Sequence, residues 1–233
     1  MRKVTFTKEQ KLLHHLILHS HDVPGALGLF DGMTGIMLVL AHYARVRKMP
    51  VVESVSDYLM EHITKNLNKT GNVDFANGMA GIGWGIEYLI QNGYMSGCGT
   101  DLTGEMDERI MSVDIRRMSD ANLEKGIRGL FHYVIAHMQG AILCGKAAFD
   151  RHYLTDWIET LQRKQANDPK QQEWRKMREQ LESTLHGQQT YRFELSQFIL
   201  PKQYAPMHHL GLRNGLAGYM ELQLQNLEQK EHL

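Results

Sequence analysis

Apolar residues gather along the chain in long runs, and the strongest runs are opened by one short pattern, Gly-apolar-x-Gly-apolar. The copies are Asp31-Gly-Met-Thr-Gly-Ile36, Asn77-Gly-Met-Ala-Gly-Ile82, Lys125-Gly-Ile-Arg-Gly-Leu130 and Asn214-Gly-Leu-Ala-Gly-Tyr219. Their first glycines are 46, 48 and 89 residues apart, and 89 is close to two periods with one copy missing. Such a period is typical of stacked supersecondary units, so the spacing predicts a repeat protein of five units, one of them degenerate.

The run behind each glycine pattern is apolar on all sides, which is typical of a buried helix. These runs predict helices over residues 32–47, 78–92, 126–140 and 215–227. Between them, apolar residues recur at helical spacing among charged ones, which is typical of surface helices. Such amphipathic helices are predicted over 7–19, 51–67, 102–118, 153–165 and 171–185, and a short helix or extended piece over 191–200. Pro24 and Gly25 end the first of them.

The glycine pattern itself predicts a helix entrance. Asn or Asp precedes the first glycine in three copies and can cap the free N–H groups of the first turn. Two glycines three residues apart lie on one helix face, where each costs about 1 kcal/mol relative to alanine. They therefore indicate that another group comes close to the bare helix backbone. That group is either the backbone of a tightly packed helix or, as the alternative, a bound ligand.

Buried helices that alternate with surface helices at one period predict an all-α fold. We interpret residues 1–233 as a single α/α toroid-like domain of about five helix pairs, with an open solenoid of helix pairs as the runner-up. The degenerate fourth unit, residues 150–190, is too polar on one face to be buried all round. We expect that unit to lie open to solvent or to a partner.

Composition narrows the function classes. Lys and Arg together number 26, and so do Asp and Glu, which offers no basic field for nucleic acid. Cys98 and Cys144 form neither a disulfide framework nor a Cys-x-x-Cys site, which suits a reducing compartment. The first apolar run is too short and too interrupted for a signal peptide, and no run is long enough to span a membrane. We therefore expect a cytoplasmic protein, and leave open whether it forms a homo-oligomer.

Three stretches resemble the repeats of the lanthionine synthetase C-like family, particularly its compact bacterial members. They are Gly28-Leu-Phe-Asp-Gly-Met-Thr-Gly-Ile36, Phe75-Ala-Asn-Gly-Met-Ala-Gly-Ile-Gly-Trp-Gly-Ile-Glu-Tyr-Leu-Ile90 and Leu212-Arg-Asn-Gly-Leu-Ala-Gly218. The resemblance covers roughly residues 25 to 225 and implies an α/α toroid. It also implies enzymes that add a cysteine thiol of a precursor peptide to a dehydrated serine or threonine. In that family, zinc held by two Cys and one His activates the thiolate.

The family's zinc motifs, Trp-Cys-x-Gly and Cys-His-Gly, do not occur in this chain. Cys98-Gly99 and Cys144-Gly145 lack the flanking residues, and the single His-Gly pair, His186-Gly187, follows a leucine. A thiolate-rich zinc site needs several converging N and S ligands. We therefore predict neither a metal nor another cofactor, with zinc the cofactor to expect if the family's chemistry is retained.

Aligning the four copies identifies residues that differ from their equivalents. The residues nine positions after the first glycine are Ala41, Glu87, Ile135 and Leu224. The residues two positions after it are Thr34, Ala80, Arg128 and Ala217. The residues six positions after it are Leu38, Trp84, His132 and Glu221. A carboxylate in an apolar column must be paired, protonated or in contact with a wet cavity. We predict that Glu87, Arg128 and His132 form a polar catalytic pocket in the lumen, acting as base, anion holder and proton carrier. The alternative is a structural Glu–Arg pair beside a satisfied histidine.

These observations favour a component of a peptide-maturation system that binds a peptide or a partner protein and has lost the family's zinc site. One alternative is an active peptide-modifying cyclase. Another is a carbohydrate-active α/α barrel, although such enzymes usually need paired carboxylates and the alignment of copies shows only Glu87.

Overall fold

A computed structural model describes residues 6–23 and 26–231, and within them the chain is helical without any β-strand. The α-helices are α1 Lys8–Leu18, α2 Met33–Arg47, α3 Pro50–Asn66, α4 Met79–Gln91, α5 Gly99–Met111, α6 Ile127–Leu143, α7 Arg151–Asn167, α8 Gln171–Leu185 and α9 Leu216–Glu231. Short 3-10 helices cover Leu67–Lys69, Ile115–Arg117 and Leu195–Phe198. The predicted all-α class is confirmed, and the stop signal Pro24-Gly25 lies outside the described residues.

Burial alternates along the chain as the sequence pattern predicts. In α4, every residue from Met79 to Leu89 is buried. In α3, burial is restricted to one face. That face consists of Val52, Ser56, Leu59, Met60 and Ile63. The glycine-led helices therefore form the core, and the amphipathic helices cover it.

Each glycine-led helix begins in the same way, and its cap differs from the predicted one. The first glycine is itself the N-cap residue in α2, α4 and α6, so the Asn or Asp before it lies outside the helix. The first helical N–H donates to a main-chain carbonyl seven residues earlier in every copy. The pairs are Met33 to Ala26, Met79 to Asn72, Ile127 to Asp120 and Leu216 to His209, at 2.6–3.1 Å. Backbone carbonyls of this preceding segment, the entrance loop, thus satisfy donors that helix starts leave free.

The second glycine makes room for that entrance loop in three of the four patterns. A Cβ atom on Gly35, Gly129 or Gly218 would lie only 1.9–2.2 Å from the carbonyl oxygen six residues earlier. The backbone that approaches these glycines is therefore the chain's own loop. Neither the tight helix packing nor the bound ligand considered from the sequence is needed to explain the pattern.

The chain divides into two compact units, each built around two glycine-led helices. The first unit lies within Met1–Thr70 and Glu194–Leu233, and there α2 packs on α3 and α9 while α1 contacts α9. The second unit is Gly71–Phe193, and there α4 packs on α6, with α5 against both and with α8 on α6 and α7. The expectation of one domain over residues 1–233 stays a prediction.

Several predicted boundaries differ from the structure, and the helix predicted over 215–227 extends to Glu231 as α9. The helix predicted over 102–118 is α5, which ends at Met111, and Asp114 then caps a separate 3-10 helix by accepting from Arg116 N–H. The helix predicted over 126–140 continues to Leu143. Residues 191–200 have no regular secondary structure except for the 3-10 turn at Leu195–Phe198.

Helix α8 occupies the place of the missing glycine copy. It buries Trp174, Met177, Leu181 and Thr184, and the rest of its surface is more exposed, as predicted for the fourth unit. Across the described chain, no helix combines the length and the apolar character that crossing a bilayer requires.

Candidate functional site

Glu87 lies in the middle of α4 and is fully buried. Its Oε1 atom is 2.7 Å from Nδ1 of His137 on α6, and its Oε2 atom accepts from Gln91 Nε2 at 2.6 Å. Two glycines leave the space for this carboxylate, because a Cβ on Gly99 or Gly140 would lie 1.8 or 2.1 Å from its oxygens. The packing therefore admits a carboxylate here only because both neighbouring positions lack a side chain.

His137 also meets a second carboxylate on its other ring nitrogen. Its Nε2 atom is 3.0 Å from Oδ2 of Asp107 on α5, and both side chains are almost completely buried. Asp107 also accepts hydrogen bonds from the hydroxyls of Thr103 and Tyr133. We call this arrangement, which links α4, α6 and α5, the Glu87–His137–Asp107 bridge.

The bridge is built to hold a proton on His137. Burial alone lowers the pKa of that imidazole, but hydrogen bonds and charges from Asp107 and Glu87 outweigh burial and raise the pKa to about 9. Burial and the adjacent Asp107 charge raise the pKa of Tyr133 well above its ordinary value, so its hydroxyl stays a donor. At neutral pH the bridge is therefore an imidazolium between two carboxylates.

A similar bridge occurs in the first unit. His42 on α2 lies 2.8 Å from Glu221 and 3.1 Å from Glu228, both on α9. Burial lowers the pKa of His42, but the two carboxylates raise it above its ordinary value. Glu228 is 41% exposed, so this second bridge is open to water at one end. In both units, a histidine thus ties one glycine-led helix to a carboxylate on another.

The structure does not bring Arg128 to Glu87. Arg128 is the second residue of α6 and lies about 13 Å along the helix axis from His137, at 1.5 Å per residue. Its guanidinium pairs with Glu173 at 2.7 Å and donates to the carbonyl of Ala121 at 2.6 Å. Arg128 therefore fixes the start of α6 against α8, as a structural ion pair.

His132 has a different set of partners from Glu87. It precedes His137 by five residues on α6, so the two side chains project about 140° apart around the helix. Nδ1 of His132 is 2.8 Å from the Tyr191 hydroxyl, which also accepts from Trp84 Nε1 at 2.7 Å. Burial and the charge of Arg128 lower the pKa of His132 to about 4, so it is neutral at pH 7. The catalytic roles assigned to Glu87, Arg128 and His132 stay predictions.

The pKa values of the two histidines of α6 are expected to be shifted in opposite directions from the ordinary histidine value. NMR of their ring protons can measure both pKa values. At pH 8, His137 should still be protonated, because its carboxylate partners raise its pKa to about 9. At pH 5.5, His132 should already be neutral, because its pKa is about 4. Single substitutions of each histidine by asparagine would assign the signals. A His137 ring that titrates below pH 7 would contradict the bridge.

These pKa shifts also predict how stability depends on pH. His137 binds its proton more tightly in the folded chain, so its contribution is complete below about pH 6.5 and is lost as pH rises towards 9. His132 binds its proton less tightly when folded, so its contribution is complete above about pH 6.5 and is lost as pH falls towards 4. His42, whose pKa is also raised, adds to the loss at higher pH. Together the three histidines favour maximum stability somewhat below pH 6.5, which urea unfolding across this range would test.

The two cysteines are joined to each other. Cys98 precedes α5 and Cys144 follows α6, and their sulfur atoms form a disulfide with a Cα–Cα distance of 6.2 Å. This corrects the sequence-based interpretation, in which they formed no disulfide framework in a reducing compartment. The cytoplasmic location inferred partly from them stays a prediction.

The residues around the cysteines do not fit the zinc site that the family resemblance implies. A zinc site of that kind needs three protein ligands around the metal. Within residues 6–23 and 26–231, no group of three or more His, Cys, Asp or Glu side chains is arranged to hold a metal ion. His186, the histidine of the His-Gly pair, instead contacts the carbonyl of Glu182 through Nδ1.

Sequence reasoning located Glu87 but missed its partners. His137 stands in an apolar run, from Phe131 to Met138, where an ionisable residue was a detectable signal. Asp107 lies among Glu105, Glu108 and other charged residues of a surface helix, so nothing in the sequence distinguishes it. The cysteines are 46 residues apart, which is close to the repeat spacing and could have indicated equivalent positions in adjacent units.

Comparison with known proteins identifies one family. A family model described as lanthionine synthetase C-like protein matches residues 24–187, which include the Glu87–His137–Asp107 bridge and both cysteines. No curated protein and no solved structure matches the chain. The family match confirms the resemblance stated from the glycine-led repeats, and the all-helical fold agrees with the α/α toroid class.

Proposed function

The chain belongs to the lanthionine synthetase C-like family, and from that membership we propose that it is a peptide- or partner-binding component of a peptide-maturation system. In this proposal it has lost the zinc-dependent cyclisation that the family resemblance implies. It holds a peptide or a partner protein while other components carry out the chemistry. The expectations of a peptide or protein partner and of no nucleic acid belong to the same proposal.

The observation that carries the proposal is the bond between Cys98 and Cys144. A zinc-bound thiolate must have a free sulfur lone pair and no sulfur–sulfur bond. In this structure each cysteine sulfur is bonded to the other, at the ends of α5 and α6. The two cysteines of the chain therefore have a structural use, and neither offers a thiolate of the kind on which the family's chemistry depends.

The burial of the charged residues also supports binding over catalysis. A general acid or base must come within about 3 Å of the substrate atom from which it takes a proton or to which it gives one. Glu87 and His137 are fully enclosed and hydrogen-bonded to each other. Their geometry suits a structural tie between helices.

The same geometry favours neither of the two enzyme alternatives. A cyclase would need the thiolate site described above. A carbohydrate-active barrel would need two carboxylates on either side of a scissile bond, with space between them for the sugar. Glu87 and Asp107 instead share one imidazole, which fills the space between them.

A cyclisation assay separates the binding proposal from the cyclase alternative. The protein, reduced beforehand and then freed of reductant, is mixed with zinc and a synthetic peptide that contains one dehydroalanine and one cysteine. N-ethylmaleimide then labels any remaining peptide thiol, and mass spectrometry counts the label. We expect the labelled fraction to match that of a protein-free sample. The matched control is the Cys144→Ser variant, which should behave like the wild type.

A second experiment tests the binding role directly. The immobilised protein is used to select from a library of displayed random peptides, and we expect a family of related sequences to be enriched.

Each experiment has an outcome that would contradict the proposal. In the cyclisation assay, zinc-dependent loss of the peptide thiol in the wild type but not in Cys144→Ser would overturn the proposal in favour of a cyclase. Failure to enrich any peptide would also count against it.

A further inference from the structure

A groove in the first unit has the chemistry of a peptide-binding site. It lies where α1 and α9 meet beside α2 and has a volume of about 310 Å³. Its apolar floor consists of Leu12, Met220, Leu224 and Leu227, with Lys8 and Glu9 at its polar end. The phenol rings of two tyrosines also line it. Such a lining, with a few polar groups beside an apolar floor, is typical of ligand sites.

The charged residues of the groove leave one unbalanced cation. Glu9 receives two hydrogen bonds from the guanidinium of Arg47, at 2.9 Å each, so its negative charge is compensated. Lys8 stands beside it, and its ammonium has no ion pair or hydrogen bond within the described parts of the chain. The groove therefore favours a ligand that carries a negative charge next to an apolar group.

The spacing of the groove residues specifies the ligand further. Lys8 and Leu12 are one helical turn apart, about 6 Å at 1.5 Å per residue, and lie on the same face of α1. In an extended peptide, residues two apart point to the same side and are separated by about 6.6 Å. A carboxylate placed at Lys8 would therefore direct the side chain two residues away along the peptide towards Leu12.

We infer that this groove binds an extended peptide segment in which an acidic residue stands two positions from a large apolar residue. The apolar side chain lies on Leu12, Met220 and Leu224, and the carboxylate pairs with Lys8. This inference rests on the proposed peptide-binding function and names the class of peptide.

A synthetic peptide with the sequence Gly-Ser-Leu-Ser-Glu-Ser-Leu-Ser-Gly, which has a leucine two positions from the glutamate on either side, tests this inference. Binding is followed by NMR of the tyrosine rings, because Tyr43 and Tyr219 line the groove. We expect shifts of both rings and a saturable titration with the wild type. Replacing the peptide's glutamate by glutamine should weaken binding about 2- to 5-fold, the size expected for an exposed ion pair. The same replacement should have no effect on the Lys8→Ala variant.

Matched variants show whether the peptide occupies the groove. Gln223 is exposed at the edge of the groove, so Gln223→Trp should block it without disturbing the core and abolish binding. Gln229→Trp adds the same ring elsewhere on α9, outside the groove lining, and should bind as the wild type does. Unchanged binding to Gln223→Trp, or equal affinity for the glutamate and glutamine peptides in the wild type, would overturn the inference. Library peptides that bind Gln223→Trp normally would overturn the groove alone and leave the proposed function standing.

Discussion

Replacing His137 by leucine is expected to lower the free energy of unfolding by about 3–5 kcal/mol, the loss typical when one partner of a buried ion pair is removed. Without the imidazolium, Glu87 and Asp107 would be left as two buried carboxylates in the same enclosed space. Asp107 would keep its hydroxyl donors from Thr103 and Tyr133, and Glu87 would keep the amide of Gln91. Like charges without their shared cation are costly in a low-dielectric interior.

The control for this prediction is the equivalent change in the first unit. His42→Leu also removes a histidine from between two carboxylates, but Glu228 is 41% exposed and remains hydrated. We therefore expect the smaller loss for His42→Leu, measured by urea unfolding at pH 7. Equal losses for the two variants would contradict the view that burial of the carboxylates sets the effect.

The Glu87–His137–Asp107 bridge also predicts a compensating change. Replacing Glu87 and His137 together by leucine removes one carboxylate along with its cation and leaves Asp107 with two hydroxyl donors. Substitution of a whole buried pair by apolar residues is often neutral. We expect the double variant to recover much of the stability lost in His137→Leu. This recovery would show that the bridge acts as a unit.

The helices could be predicted from the sequence because each one repeats a strong local signal. The starts of α2, α4, α6 and α9 each fall within one residue of the prediction, since the glycine pattern is part of the helix entrance. The caps could not be predicted, because main-chain carbonyls of the entrance loop supply them and every residue type carries such a carbonyl. A cap made by backbone leaves no signature in side-chain identity.

The candidate site was predicted only in part, for a related reason. Glu87 was detectable because the same column is apolar in the other copies. Its partner Asp107 comes from a surface helix, where a carboxylate is ordinary and its burial depends on tertiary packing. Arg128 was equally unusual in its column, yet it pairs with Glu173 on α8. An unusual residue type indicates a polar environment, but it does not identify the partner.

Replacing Gly129 by alanine is expected to destabilise the second unit by about 1–3 kcal/mol, the usual effect of forcing an extra methyl group into a packed site. Gly129 is the second glycine of the copy that opens α6. A Cβ there would lie 2.0 Å from the carbonyl oxygen of Leu123 and 2.5 Å from Cβ of Phe75. Because both are close to the main chain, neither can move aside by a change of rotamer, so the entrance loop itself must shift.

Gly104 provides a matched control in the same unit, because it is also a helical glycine but a methyl group added there would have nothing within 4 Å of it. Gly104→Ala should stabilise the chain by roughly 0.5–1 kcal/mol, the gain in helix propensity from glycine to alanine. The two substitutions are chemically identical and should change the unfolding midpoint in opposite directions. If Gly129→Ala also stabilised the chain, the glycine pattern could no longer be explained by close packing of the entrance loop. The pattern would then have to be explained by a ligand or partner that approaches the start of each helix.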